Sequence, residues 1–155
     1  MQMNNYLKKI IQIFFLFCIS GFLYCTAEVL FRGYTFISMY ILSGFIGIIL
    51  MLLNDTILDY DTIFEIQILC GGTICTFAEG ITGLLINQNF TIWDYRNLPF
   101  TFFWGQCNGI FMIAWMVVAC FGIVFTDWYE WKFMKVDDKP YYRIGLLNNK
   151  KVYFY

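Results

Sequence analysis

"TIFEIQILCGGTICTFAEGITGLLI", Thr62 to Ile86, is an apolar run of more than twenty residues with a carboxylate, Glu79, inside it. A helix of roughly 20 apolar residues crosses a hydrocarbon core about 30 Å thick. The run therefore reads as a membrane span, and the glutamate in it asks for an explanation. Three more apolar runs flank it: Ile10 to Phe31, which follows the basic pair Lys8-Lys9, then Tyr34 to Leu53, then Pro99 to Phe125. A helix satisfies its own backbone groups in lipid. Together the runs predict an all-α membrane protein with four transmembrane helices. The first run has the basic start of a signal peptide, but it is long for one and no small-x-small cleavage site follows. It reads as a retained helix.

Composition supports a lipid solvent. Of 155 residues, 60% are hydrophobic and 14% charged, against about 25% charged in a soluble domain. The net charge of −1 gives no basic surface for nucleic acid. The chain has no histidine, which removes Ser-His-Asp and Cys-His catalysis and every histidine-ligated metal site. Cys18, Cys25, Cys70, Cys75, Cys107 and Cys120 all lie in apolar runs without a C-x-x-C pair. They read as packing residues, with a Cys25–Cys75 disulfide as the alternative. Glu28 and Glu79 could form an acid–base pair, but no nucleophile, base or metal cluster accompanies them. Neither enzyme chemistry nor a cofactor is expected.

Residues 1–126 form the predicted four-helix domain, and residues 127–155 a cytoplasmic juxtamembrane tail. Lys8 and Lys9 precede the first helix, and six further basic residues follow the fourth. The positive-inside rule then places both termini in the cytoplasm. The connection "NDTILDYD" would lie on that side too, despite its acidity. Trp93, Tyr95, Trp128 and Trp131 are candidate anchors at the membrane interfaces. In the tail, "DWYEWKFMK" extends the fourth helix, and "YYRIGLLNNKKVYFY" reads as two β-prone runs around Asn148-Asn149, a hairpin. A lone hairpin is marginal in water, so it would have to rest on the bundle, the membrane or a partner.

An internal repeat emerges from the glutamates. "CTAE", ending at Glu28, matches "CTFAE", ending at Glu79. Each is followed by a connection containing arginine, Arg32 or Arg96, and then by a helix with small residues, "SGFIG" (Ser43 to Gly47) or "GQCNG" (Gly105 to Gly109). This predicts two parallel two-helix repeats. The small-x-x-x-small patterns nominate the second and fourth helices for close contact, within the chain or in a dimer. Ser43, Gly47, Gly83, Gly105 and Gly109 are the packing candidates.

Depth gathers the polar groups. At about 1.5 Å per residue, Glu79 lies roughly 10 Å inside the outer boundary, and Gln106 and Asn108 enter from the same side to roughly 10–14 Å. Glu28 is shallower, and Arg32 can pair with it at i, i+4. The candidate polar site is Glu28, Arg32, Glu79, Gln106 and Asn108, with Asp94 and Arg96 above it. A carboxylate in the membrane pairs, faces the bundle interior or marks a pathway. It can equally clasp helices, here through Gln106 or Asn108.

The ordered set "AEVLFRGYTFISM", "AEGITGLLIN", "WDYRNLP" and "GQ" resembles the small bacterial membrane proteins classed as ABC-transporter type IV permeases, the CmpB-like family. The resemblance covers roughly Ser20 to Trp128 and rests on Glu28, Arg32, Gly33, Glu79, Gly83, Asn87, Trp93, Asp94, Tyr95, Pro99, Gly105 and Gln106. Members of that family usually carry a histidine-tryptophan pair where this chain has Phe36-Ile37. They also differ at Arg96 and Phe100. The resemblance implies a transporter subunit. The chain has no nucleotide-binding motif of its own, so an ATPase would be a separate partner. Three functions stand open: a permease-like subunit with its site on Glu28 and Glu79; a non-transporting scaffold or accessory protein whose polar groups clasp helices; and a small proton-coupled exporter acting as a dimer.

Overall fold

The computed structural model describes residues 5–53, 57–58, 61–135 and 139–154, so much of the "NDTILDYD" connection lies outside the described residues. Four helices run in chain order: α1 (Asn5–Arg32), α2 (Ile37–Leu52), α3 (Phe64–Ile86) and α4 (Gly109–Tyr129). Two short antiparallel hairpins accompany them. β1 (Thr101–Phe102) and β2 (Cys107–Asn108) precede α4, and β3 (Tyr142–Ile144) and β4 (Lys150–Val152) form the tail.

The expectation of four transmembrane helices is corrected to three. α1 with 28 residues, α3 with 23, and α4 continued by a π-helical turn to Met134 are each long and apolar enough to cross a membrane. α2 has 16 residues, about 24 Å at 1.5 Å per residue, less than a hydrocarbon core of about 30 Å. The 20-residue apolar run is longer than its helix because Phe36 is extended and starts the helix late. α2 runs back antiparallel to α1, with Gly21 facing Tyr40 and Gly44 facing Phe17. It therefore returns the chain toward the end where α1 begins although it is shorter than a full span, and its hydrophobicity serves burial. Met39, Leu42, Ile46, Leu50 and Met51 are all in the core, whereas α1 buries only Leu16 and Gly21.

The helices pair as two hairpins, α1 with α2 and α3 with α4. Small residues allow each approach. A Cβ at Gly44 would lie 2.6 Å from the Phe17 ring, and one at Gly47 would strike the Ser20 side chain. Across the other pair, Gly71 faces Ala119 and Gly72 faces Met116. The second and fourth helices do meet, where a Cβ at Gly122 of α4 would lie 2.6 Å from Leu50 of α2, but not through the small residues nominated for that contact. Gly47 packs on α1, and the Ser43 hydroxyl donates to the Met39 and Tyr40 carbonyls of its own helix.

α1 ends at Arg32 because Gly33 adopts φ +83° and donates its N–H back to the Val29 carbonyl, a left-handed stop that glycine takes without strain. Gln12 donates to the Phe133 carbonyl at 2.6 Å, and Tyr129 donates to the Gln12 carbonyl at 3.1 Å. The start of α1 and the end of α4 thus lie at one end of the bundle, hereafter the tail end.

The tail hairpin is present, with Asn148 and Asn149 both left-handed at its turn. It rests on the bundle. Glu65 of α3 accepts the N–H groups of Gly145 and Leu146 at 3.0 and 3.1 Å. Arg143 pairs with Asp61 at 3.0 Å, and the Tyr142 ring packs tilted against Phe64 with centroids 4.7 Å apart. An acidic connection beside a basic tail is thereby explained: Asp61 is the tail's partner.

Candidate functional site

The sequence between Ile86 and Gly109 builds the far end of the molecule, and it does so without the helix expected from Pro99 onward. Phe100, Phe103 and Trp104 take φ of 63°, 53° and 55°, a conformation uncommon for bulky residues. Gly105 at φ +86° completes the turn between β1 and β2. Asn108 ends the hairpin as the N-cap of α4, its side chain accepting from the Ile110 N–H at 2.8 Å and donating to the Pro99 carbonyl at 2.7 Å. "GQCNG" is therefore a hairpin and a cap, not a helix-packing motif: Gly105 packs on Arg96, and Gly109 on Phe100.

Asn87, at the end of α3, ties the loop down. Its amide donates to the Trp93 carbonyl at 2.7 Å and its oxygen accepts from the Ile92 N–H at 2.9 Å. Gln106 donates to the Asn87 carbonyl at 3.1 Å, and the Trp93 indole donates to the Gln106 carbonyl at 3.1 Å. Gly83 leaves room for the Gln106 amide and the Trp93 ring. Gln106 therefore sits at the end of α3, shallower than Glu79, and the shared depth derived from a helix starting at Pro99 does not hold. Of the aromatic residues singled out, Trp93 and Tyr95 are buried in the core, and Trp128 and Trp131 are half-buried beyond the middle of α4.

Glu79 is buried, only 3% exposed. One of its oxygens accepts from the Tyr95 hydroxyl at 2.9 Å, and the other from the Trp115 indole N–H at 3.0 Å. Neither Gln106 nor Asn108 supplies this contact. Burial first, and then the Glu79 charge, push the Tyr95 hydroxyl above its ordinary value, so it stays an O–H donor. Trp115 is held in turn by Tyr24 of α1, stacked at 5.4 Å.

Glu28 meets Arg32 at 2.8 Å, in the i, i+4 arrangement, and accepts the Thr35 hydroxyl. Arg32 also donates to the Ile92 carbonyl at 3.1 Å, joining α1 to the loop. Asp94 and Arg96 pair with each other at 2.8 Å, and those hydrogen bonds hold the Asp94 carboxyl at about 2. Glu28, Arg32, Glu79 and Asp94 line one cavity of about 660 Å³, together with Tyr24, Trp93, Tyr95 and Trp115. Arg96, Gln106 and Asn108 do not line it. Four of the seven residues chosen for the polar site thus converge, and the other three build the loop that closes its side.

Sequence reasoning missed Trp115, whose place in an apolar run reads as lipid contact although its indole carries a donor that burial must satisfy. It also missed a second buried polar group at the tail end. Asp127 is 5% exposed and accepts the Tyr142 hydroxyl at 2.9 Å. Gln67 and Thr126 are buried near the same ends of α3 and α4. The signal is an aspartate directly before Trp128, still inside α4. All six cysteines are free thiols, so the alternative Cys25–Cys75 disulfide is not formed. Among the described residues no cluster of three or more metal-ligating side chains occurs. No protein-family model, curated protein or solved structure matches the chain, and its own geometry is what bears on function.

Proposed function

We propose that this multi-pass membrane protein is a scaffold or accessory protein whose buried polar groups lock its helices and its long loop into one arrangement. The occupancy of Glu79 carries the reading. Both of its oxygens are taken by donors from two different elements, the loop and α4. A carboxylate so engaged joins three parts of the chain, as an intramembrane polar clasp does. The test compares Glu79→Gln with Glu79→Ala. Glutamine is nearly isosteric: its oxygen can accept the Trp115 N–H while its amide donates to the Tyr95 oxygen, since a hydroxyl both gives and takes. Glu79→Gln is expected to cost about 1 kcal/mol or less in a detergent melt. Glu79→Ala orphans two donors at about 1–3 kcal/mol each. Equal losses in the two variants would sink the clasp.

A permease-like subunit is the second reading, and the cavity behind Glu28 and Arg32 is what favours it. It accords with the CmpB-like resemblance, with a separate ATPase or a second copy as partner; a dimeric proton-coupled exporter is its variant. Reconstituted Glu79→Gln distinguishes the readings. Proton or solute flux present in the parent and lost in this well-folded variant selects transport. In either case the tail end, rich in lysine, is assigned to the cytoplasm by the positive-inside rule.

A further inference from the structure

The polar cavity does not stand alone. An apolar groove of about 610 Å³ lies between α1, α2 and α4, lined by Leu23, Ile46, Leu50 and Phe121 among others. Tyr24, Ala27, Trp115 and Val118 line both spaces, so the two adjoin along α1 and α4. Each volume falls within the roughly 300–1,000 Å³ typical of ligand pockets. Leu23 and Phe121 are 51% and 72% exposed, which opens the groove sideways between two membrane-spanning helices. Its polarity is graded. The stretch deep in the bundle is apolar, and the stretch at the loop end is lined by Glu28, Glu79, Asp94 and Arg32. Arg32 pairs with Glu28 and Arg96 with Asp94, so one carboxylate is in excess.

We propose that this groove holds one phospholipid with a primary-amine headgroup, its acyl chain between α1 and α4 and its headgroup beside Glu28 and Arg32. The gradient matches a phospholipid standing along the bilayer normal. Arg32, only 24% exposed at its side chain, suits a phosphate. The carboxylate in excess and the aromatic walls of Tyr24, Trp93 and Tyr95 suit an ammonium, which ring faces attract. A lipid with an anionic headgroup and no amine would meet that surplus unpaired. The assignment holds whether or not the chain transports anything.

The test is native mass spectrometry of the full chain in a non-ionic detergent, titrated with phosphatidylethanolamine or with phosphatidylglycerol of the same acyl chains. One phosphatidylethanolamine is expected to be retained, about tenfold more tightly than phosphatidylglycerol. Ala27→Phe and Val118→Trp fill the junction from two different helices, each at a side chain already exposed, and should abolish retention of either lipid. Glu28→Gln should erase the preference for the amine, because it frees Arg32 for an anion. Equal retention of the two lipids by the parent protein would overturn the proposal. So would retention that survives both junction variants, or a dimer that carries no lipid.

Discussion

Trp115 shows how much rests on a single donor. Its ring packs on Tyr24, and its N–H reaches Glu79 at 3.0 Å. Trp115→Phe keeps an aromatic ring for the stack and removes the donor. One Glu79 oxygen is then left buried without its partner, at about 1–3 kcal/mol. Tyr95→Phe should cost a similar amount, because it strips the other oxygen while leaving the Phe111 stack at 4.6 Å. The double variant should cost less than the sum if the carboxylate then takes water through the adjoining cavity. Thermal melts of the four proteins in one detergent measure the coupling directly. Strict additivity would argue that the two donors do not share one group.

At the scale of elements, the tail hairpin gives a pH-dependent prediction. Asp61 is held below the usual carboxylate range by the Tyr141 hydroxyl first and by Arg143 next. A carboxyl depressed in the folded state stabilises docking above its unfolded value of about 3.9 and loses that contribution as pH falls through the folded value. Protection of the β3 and β4 amides, taken against their intrinsic exchange, should therefore fall below about pH 4, and Asp61→Asn should bring the same loss of protection at neutral pH. An acid response that persists unchanged in Asp61→Asn would place the switch elsewhere. The hairpin itself was legible from Asn148-Asn149 between β-prone runs, and the spans were legible from hydropathy. Other elements were not. Hydropathy does not separate a helix that faces lipid from one buried by its neighbours, which is why α2 read as a span. It also cannot see that Pro99 to Asn108 would fold as a hairpin, because the loop is held by side chains: Asn87, Gln106 and Asn108 donate to the carbonyls of Trp93, Asn87 and Pro99. The Glu28–Arg32 pair followed from spacing along one helix. The partners of Glu79 lie 16 and 36 residues away, and no local pattern announces them.

For the whole molecule, the fixed relation of the two ends makes orientation testable. The start of α1 and the end of α4 are hydrogen-bonded to each other, and the tail hairpin leans on the start of α3. The Asn87–Pro99 connection closes the opposite end, joined to the C-terminus of α1 through Arg32. Lys132, Lys135, Lys139, Arg143, Lys150 and Lys151 all follow α4, and lysine and arginine beside a span are retained on the cytoplasmic side. An epitope placed between Gln88 and Asn89, both exposed, should bind antibody on intact cells. One joined to the tail hairpin should bind only after permeabilisation. The reverse pattern would invert the molecule in the membrane and set the amine-binding end of the groove in the inner leaflet. Labelling of both epitopes on intact cells would contradict the shared-end arrangement that holds α1 against α4.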